Sequence, residues 1–114
     1  MPRSLVIERT GEVLCRDLRR ASGVRERTKG LIGLDSLEEG VGLVLEPCRQ
    51  VHTFGMRFPI DVVFVDRGWT VIGSVHRMGP RRLSRIFFRA RRAIELPSGA
   101  AAAVKVGDRL EVRG

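Results

Sequence analysis

The strand prediction that decides the fold comes from residues 59–66, which read PIDVVFVD. Five of these eight residues are aliphatic or aromatic, and they do not alternate with polar ones. They therefore cover both faces of an extended chain, as in a strand from the interior of a sheet. Pro59 bounds the stretch at its start, and the turn signal Asp66-Arg67-Gly68 bounds it at its end. We therefore predict a strand that lies centrally in its sheet.

Turn signals recur every eight to twelve residues along the chain, which is typical of a fold built from many short strands. Residues 5–8 and 12–15 flank Gly11 and are predicted to form a hairpin. Further strands are predicted at residues 43–46, 70–76 and 91–96, and a last hairpin is predicted to pair residues 101–106 with 110–112.

One short helix is predicted near residues 22–34, because Ser22 can cap its first turn and Gly33 weakens its end. The sequence thus predicts a mainly β, single-domain fold over residues 1–114. Its architecture is expected to be a β-sandwich or partly closed barrel of about seven short strands.

Composition and charge indicate a small basic globular protein. The chain has 114 residues, of which 43% are hydrophobic and 30% are charged, and its net charge is +8. All but two of its 21 basic residues are arginine. No apolar run approaches the ~20 residues that cross a bilayer, and the first residues carry no signal-peptide pattern. We expect a cytoplasmic protein that does not bind membranes.

Neither a metal site nor a cofactor is predicted. Cys15 lies in an alternating segment and is expected to pack as a small apolar side chain. Cys48, His52 and Met56 are soft ligands that suit copper(I), but on an extended chain each lies ~13 Å from the next. The sequence contains no phosphate-binding glycine loop, no HExxH and no GxSxG pattern.

Seven arginines lie between Arg77 and Arg92, with no acidic residue among them and with Ile86, Phe87 and Phe88 inside the stretch. Guanidinium and aromatic groups side by side are typical of proteins that bind single-stranded nucleic acid. One hypothesis is therefore that this stretch binds nucleic acid or an acidic partner through Arg81, Arg82, Arg85 and Arg89. The alternative is a solvated loop that has one apolar anchor.

Asp61 is the most unusual residue of the predicted central strand, because it has apolar neighbours on both sides. A buried carboxylate without partners is costly, so the acid must find hydrogen-bond donors or raise its pKa. In the structural interpretation, Asp61 accepts amides from the loop at residues 55–57. The functional interpretations make it a general base or a ligand-binding acid, and a third possibility is plain exposure to solvent.

Other polar residues near Asp61 define a candidate binding site. His52 and Thr53 precede a flexible glycine and could form the wall of a small pocket. Glu95 also has apolar neighbours, and it either pairs with an arginine such as Arg57 or Arg92 or faces the same cavity as Asp61. The residues of the predicted ligand site are His52, Thr53, Met56, Arg57, Asp61 and Glu95.

The run from residue 51 to residue 66 resembles the signature of the DUF192 family of small prokaryotic proteins of unknown function. That signature has an aromatic-x-Met stretch, then Pro-hydrophobic-Asp, then an apolar strand that ends in an acid. Four further segments are similar to family motifs in the same order, at residues 27–33, 42–45, 93–99 and 106–108. The resemblance implies a mainly β sandwich or barrel, and it supplies no activity.

Three classes of function stay open at this point. The first is a non-enzymatic β domain that binds a small molecule or a protein through the polar site around His52, Met56, Arg57 and Asp61. The second is a small hydrolase or lyase that uses Asp61 and His52. The third is nucleic-acid or acidic-partner binding through the arginine stretch. The chain is expected to be a monomer or a weak dimer.

Overall fold

The structure is a computed structural model that describes residues 2–21 and 36–114. The helix predicted near residues 22–34 lies outside these residues. The described part of the chain contains eight strands and no helix: β1 Ser4–Ile7, β2 Val13–Cys15, β3 Asp17–Ala21, β4 Val41–Leu45, β5 Ile60–Val65, β6 Val71–Met78, β7 Arg92–Pro97 and β8 Leu110–Arg113. No described helix is therefore long and apolar enough to cross a membrane.

The smaller sheet has three strands in the order β2-β1-β8, all antiparallel. The predicted hairpin of β1 and β2 is confirmed, and Gly11 in its turn has a φ of 76°, which favours glycine. The other neighbour of β1 comes from the opposite end of the chain, since Leu5 pairs with Val112 of β8.

The larger sheet has five strands in the order β3-β4-β7-β5-β6. Strand β5 lies between β6 and β7, and all six of its residues are buried. The prediction of an interior strand apolar on both faces is thus confirmed. Strands β3 and β4 are parallel, whereas the remaining neighbours are antiparallel.

Two apolar clusters cover the two faces of the larger sheet. The first contains side chains from both sheets, such as Leu5 and Ile7 of β1 with Val63 and Ile94. The second lies on the opposite face and includes Val62, Phe64, Ala93, Met56 and Phe87. The fold is therefore a sandwich-like pair of sheets and not a closed barrel, and the far face of the larger sheet is covered by loops.

Two details of the strand prediction are wrong. Residues 101–106 form no strand, because successive turns bring Ala100, Ala102 and Val104 back to the carbonyls three residues earlier. Strand β8 consequently pairs with β1. Strand β3 was missed because Arg19 and Arg20 expose their side chains at the sheet edge, which hides the apolar pattern.

Candidate functional site

Asp61 is fully buried and is held by backbone amides from two other parts of the chain. Its Oδ1 accepts a hydrogen bond from the Arg77 amide at 2.8 Å, and its Oδ2 accepts one from the Ala101 amide at 2.9 Å. The structural interpretation is correct in kind, but the expected donors at residues 55–57 are not the ones used. The carboxylate ties β6 and the turns after β7 to the strand on which it lies.

The imidazole next to Asp61 belongs to His76 and not to His52. Nδ1 of His76 lies 3.7 Å from Oδ2 of Asp61, which is longer than a hydrogen bond, and its Nε2 lies 3.0 Å from the Ser74 hydroxyl oxygen. A break in register between Ile60 and Val62 places this part of β6 beside Asp61. Asp61, His76 and Arg77 line a cavity of about 250 Å³.

Glu95 lies on the other face of the larger sheet. It is opposite Val62 in β5 and Leu43 in β4, whereas Asp61 is opposite Leu96, so the two carboxylates do not share a cavity. Burial raises the pKa of the Glu95 carboxyl to about 7. Among residues 2–21 and 36–114 its Oε1 has no hydrogen-bond partner.

The expected ion pair between Glu95 and Arg92 is not present. The Arg92 guanidinium instead lies 3.3 Å from Glu46. It also lies over the ring of Trp69, with 4.5 Å between the guanidinium carbon and the ring centroid.

The arginine stretch belongs to an irregular two-stranded ribbon, which we call the arginine ribbon and define as residues 49–54 and 81–89. Its two segments run side by side and bond through their backbones. The Ser84 amide donates to Val51 at 2.9 Å, the Thr53 amide to Arg82 at 2.9 Å and the Phe87 amide to Arg49 at 2.8 Å. This pairing brings together residues 49–54 and 81–89, which the sequence analysis assigned to two separate candidate sites.

Buried side chains join the two segments of the ribbon to each other and fix the ribbon to the larger sheet. The Thr53 hydroxyl donates to the Gly79 carbonyl at 2.6 Å and accepts from the Arg82 amide at 2.8 Å. The Ser84 hydroxyl accepts from the Val51 amide at 3.0 Å. The Phe87 ring stacks on Phe64, with 4.2 Å between centroids. These contacts hold the ribbon in a defined conformation. The expected solvated loop with one apolar anchor is therefore held by more contacts than that interpretation assumed.

The outer face of the ribbon carries large apolar side chains that are exposed to solvent. Phe54 is 51% exposed, Leu83 61% and Phe88 75%. His52 is also exposed, and its ring stacks on Phe54 with 5.6 Å between centroids. Monomeric proteins seldom expose several such groups together without a binding role.

Exposed arginines lie in the same two segments as these apolar groups. The exposed members are Arg49, Arg81, Arg82, Arg85 and Arg89. None of them forms an ion pair within the part of the chain that the structure describes. Arginines elsewhere do pair, as Arg9 does with Asp108 at 2.7 Å. The ribbon is therefore positively charged, and no described acidic side chain forms an ion pair with these five arginines.

A groove of about 410 Å³ runs beside the ribbon, between residues 82–84 and strand β6. His76 and Arg77 line its β6 side, and Arg82 and Leu83 line the other side. Since β6 is an edge of the larger sheet, the groove is open to solvent along that edge.

The structure distributes the predicted ligand-site residues over the arginine ribbon and both faces of the larger sheet. His52 and Thr53 lie in the arginine ribbon, His52 outward and Thr53 inward. Met56 is buried in the second cluster, and Arg57 is exposed beyond it. Asp61 and Glu95 lie on opposite faces of the sheet. Within the described ranges no three His, Cys, Asp or Glu side chains are placed to hold a metal ion.

The sequence indicated an apolar anchor in this stretch but did not distinguish Phe87 from its neighbours Ile86 and Phe88. Ser84 was missed, because nothing next to it in the sequence indicates its hydrogen bond with Val51.

Comparisons with known proteins agree on the fold. The model of the family DUF192, described as Uncharacterized ACR, matches residues 5–112. A protein of unknown function from Novosphingobium aromaticivorans DSM 12444 superposes with a TM-score of 0.82 at 21% identity, over 97% of this chain and 84% of that one. A candidate transcription regulator from Sinorhizobium meliloti 1021 gives 0.78 at 20% identity, over 96% of this chain and 91% of that one. No curated protein matches.

Proposed function

The chain belongs to the DUF192 family of uncharacterised proteins, and we propose that it is a non-enzymatic β domain that binds single-stranded nucleic acid through the arginine ribbon. The observation that carries this proposal is the outer face of the ribbon. There, five arginines without ion pairs among the described residues surround exposed Phe54, Leu83 and Phe88.

Each part of this surface has a match in single-stranded nucleic acid. Guanidinium groups pair with phosphates, and unpaired bases stack on aromatic rings. Phe88 and the stacked pair His52–Phe54 offer such rings, and the groove beside β6 leads a chain past Arg77 and Arg82. A duplex hides the faces of its bases, so the exposed rings favour a single strand.

The relatives support the fold and not the ligand. At 20% identity, the description of the Sinorhizobium protein as a candidate transcription regulator applies to that protein. The proposal for this chain rests on its own arginines and rings. It uses the arginine stretch in place of the predicted pocket around His52, Met56, Arg57 and Asp61, since His52 is exposed on the ribbon whereas Asp61 is buried beside His76.

The test measures binding of a fluorescein-labelled oligothymidylate of about 15 nucleotides by anisotropy, at salt concentrations between about 50 and 200 mM. We expect log Kd to rise with log salt by ~0.7 for each phosphate that is neutralised. Phe88→Ala should weaken binding about 5- to 150-fold, because a stacked base contributes ~1–3 kcal/mol. Arg85→Ala should reduce the salt slope by ~0.7.

The matched control is Arg67→Ala, which removes one exposed arginine from the turn at the opposite end of the β5–β6 hairpin. If Arg85→Ala and Arg67→Ala lose the same oligonucleotide affinity, binding depends only on the net charge of the protein, and the proposal is overturned. Tighter binding of poly-glutamate than of the oligonucleotide would overturn it in favour of an acidic protein partner.

A second candidate function is hydrolysis at Ser74, His76 and Asp61, and a specific geometry favours it. Nε2 of His76 lies 3.0 Å from the Ser74 oxygen, while Nδ1 faces the buried carboxylate at 3.7 Å. In such a set the Ser74 oxygen attacks an acyl carbon and its proton passes through His76 to the leaving group, after which water releases the acid. Labelling of Ser74 by a fluorophosphonate, lost in Ser74→Ala and His76→Ala, would support hydrolysis, and its absence in the folded wild type would exclude it.

A further inference from the structure

A second cleft lies on the other side of the molecule, where the two sheets meet. Its volume is about 550 Å³. Leu18, Val44 and Val112 form its apolar floor, and they belong to or pack against the cluster between the sheets. The cleft is within the range of pockets that hold small molecules.

The walls of this cleft are strongly basic. Arg3, Arg19, Arg20 and Arg92 line it, and among residues 2–21 and 36–114 no acidic side chain does. Arg20, Arg91 and Arg92 share one carboxylate, that of Glu46, at 3.4, 3.5 and 3.3 Å. Arg19 pairs with Asp17 at 2.9 Å, and Arg3 forms no ion pair in the described chain. Within the described ranges, the arginines that line the cleft therefore outnumber the carboxylates that pair with them.

Arg92 and Trp69 form the fixed part of the wall. The side chain of Arg92 is only 15% exposed and lies over the Trp69 ring. Its Nε is buried and has no hydrogen-bond partner among the described residues. Trp69 is held in a left-handed conformation with a φ of 66°, in a turn where Asp66 accepts from the amides of Gly68 and Thr70.

We propose that this cleft binds a small amphipathic anion, a carboxylate or phosphate group carried on an apolar body. The anionic group contacts the guanidinium groups, whose planar donors match the oxygens of either headgroup. The apolar body lies on Leu18, Val112 and the indole. Excess positive charge on the walls and an apolar floor in one cavity together define this ligand class.

Trp69 is the sole tryptophan and the chain has no tyrosine, so emission excited near 295 nm comes from the wall of the cleft. The experiment titrates the full chain with octanoate and octyl phosphate, with octanamide as the uncharged analogue. Both anions should change the emission saturably, and octanamide should bind about tenfold more weakly or worse, because a charge-assisted hydrogen bond is lost. Chemical shifts of the Trp69 indole N–H provide a second measurement.

Arg3→Glu reverses one charge at the rim and should weaken octanoate binding about tenfold, whereas Arg85→Glu in the arginine ribbon should leave it within about twofold. For the oligonucleotide, Arg85→Glu should weaken binding and Arg3→Glu should have little effect. Failure of one proposal is therefore distinguishable from failure of the other. Equal binding of octanoate and octanamide, or an unchanged octanoate affinity in Arg3→Glu, would overturn the anion site. So would the lack of any saturable change in both emission and indole shifts.

Discussion

At the scale of single residues, two buried carboxyl groups differ in the hydrogen bonds that they accept. Asp61 receives one backbone amide on each oxygen, whereas Glu95 has an oxygen with no partner among the described residues. Both lie within β-strands between apolar neighbours, so sequence patterns do not distinguish them. The difference lies in the donors, since backbone amides replace the water that the buried Asp61 side chain has lost.

Asp61→Asn should destabilise the fold by about 2–4 kcal/mol. An asparagine has one carbonyl oxygen, so its NH₂ group would face one of the two amides and leave that donor unsatisfied. Urea unfolding followed by circular dichroism measures the change. Glu12→Gln removes a charge from an exposed side chain and serves as the control. Equal stability of the two variants would show that the amide contacts do not stabilise the fold.

Glu95 makes stability depend on pH in the opposite direction from a paired carboxylate. The pKa of about 7 in the fold exceeds the ordinary 4.5, so the native state binds more protons than the unfolded chain between these values. Stability therefore falls as the pH rises through this window. The free energy of unfolding of the wild type should fall by about 2–3 kcal/mol between about pH 5 and about pH 8. In Glu95→Gln this decrease should be absent.

Urea unfolding at the two pH values gives this difference directly. Glu39→Gln, at an exposed position, should retain the wild-type pH dependence. If Glu95→Gln retains it too, Glu95 is ionised in the fold at neutral pH and the argument from burial fails.

At the scale of elements, local patterns predicted the strands well and their partners poorly. Strand β5 was predictable because its apolar residues cover both faces. The donors to Asp61 were not, because they lie 16 and 40 residues away along the chain. The alanine-rich run after β7 resembles a strand in composition, but the Ala101 amide is turned toward Asp61.

The candidate site was predictable in composition and not in arrangement. The arginines and His52 are evident in the sequence, yet the ribbon exists only because residues 49–53 pair with residues 81–87. This pairing is irregular, with a single β-bridge between His52 and Leu83, and therefore leaves no alternating pattern.

Gly73→Ala tests whether the ribbon is held by its packing on β6. A Cβ at Gly73 would lie 2.8 Å from Cδ1 and 2.9 Å from Cζ of the buried Phe87 ring. The ring cannot withdraw without losing its stack on Phe64, so we expect a loss of about 1–3 kcal/mol in stability. Gly79→Ala is the control, because a Cβ there meets nothing within 4 Å. Equal urea midpoints for both variants would show that Phe87 does not fix the ribbon.

At the scale of the whole molecule, the two ends of the chain complete the sandwich together. Strand β8 pairs with β1 in the smaller sheet. The segment before β8 bonds to the larger sheet, since the Val71 amide donates to Asp108 and the Gly107 amide to Val71, both at 2.8 Å. Arg9, in the turn between β1 and β2, hydrogen-bonds Asp108 and lowers the pKa of that carboxyl, which adds a charged contact between this segment and the smaller sheet.

Removal of residues 107–114 should therefore abolish cooperative folding. Strand β1 would lose one of its two neighbours, Leu110 would leave the cluster between the sheets, and the backbone link to β6 would be lost. A hydrophobic core opened along one side cannot offset the conformational entropy of the remaining chain. Urea unfolding and the dispersion of amide resonances measure the effect, and removal of Gly114 alone, an exposed terminal residue, is the control. A shortened chain that unfolds cooperatively near the wild-type midpoint would mean that the larger sheet and its loops form a fold by themselves.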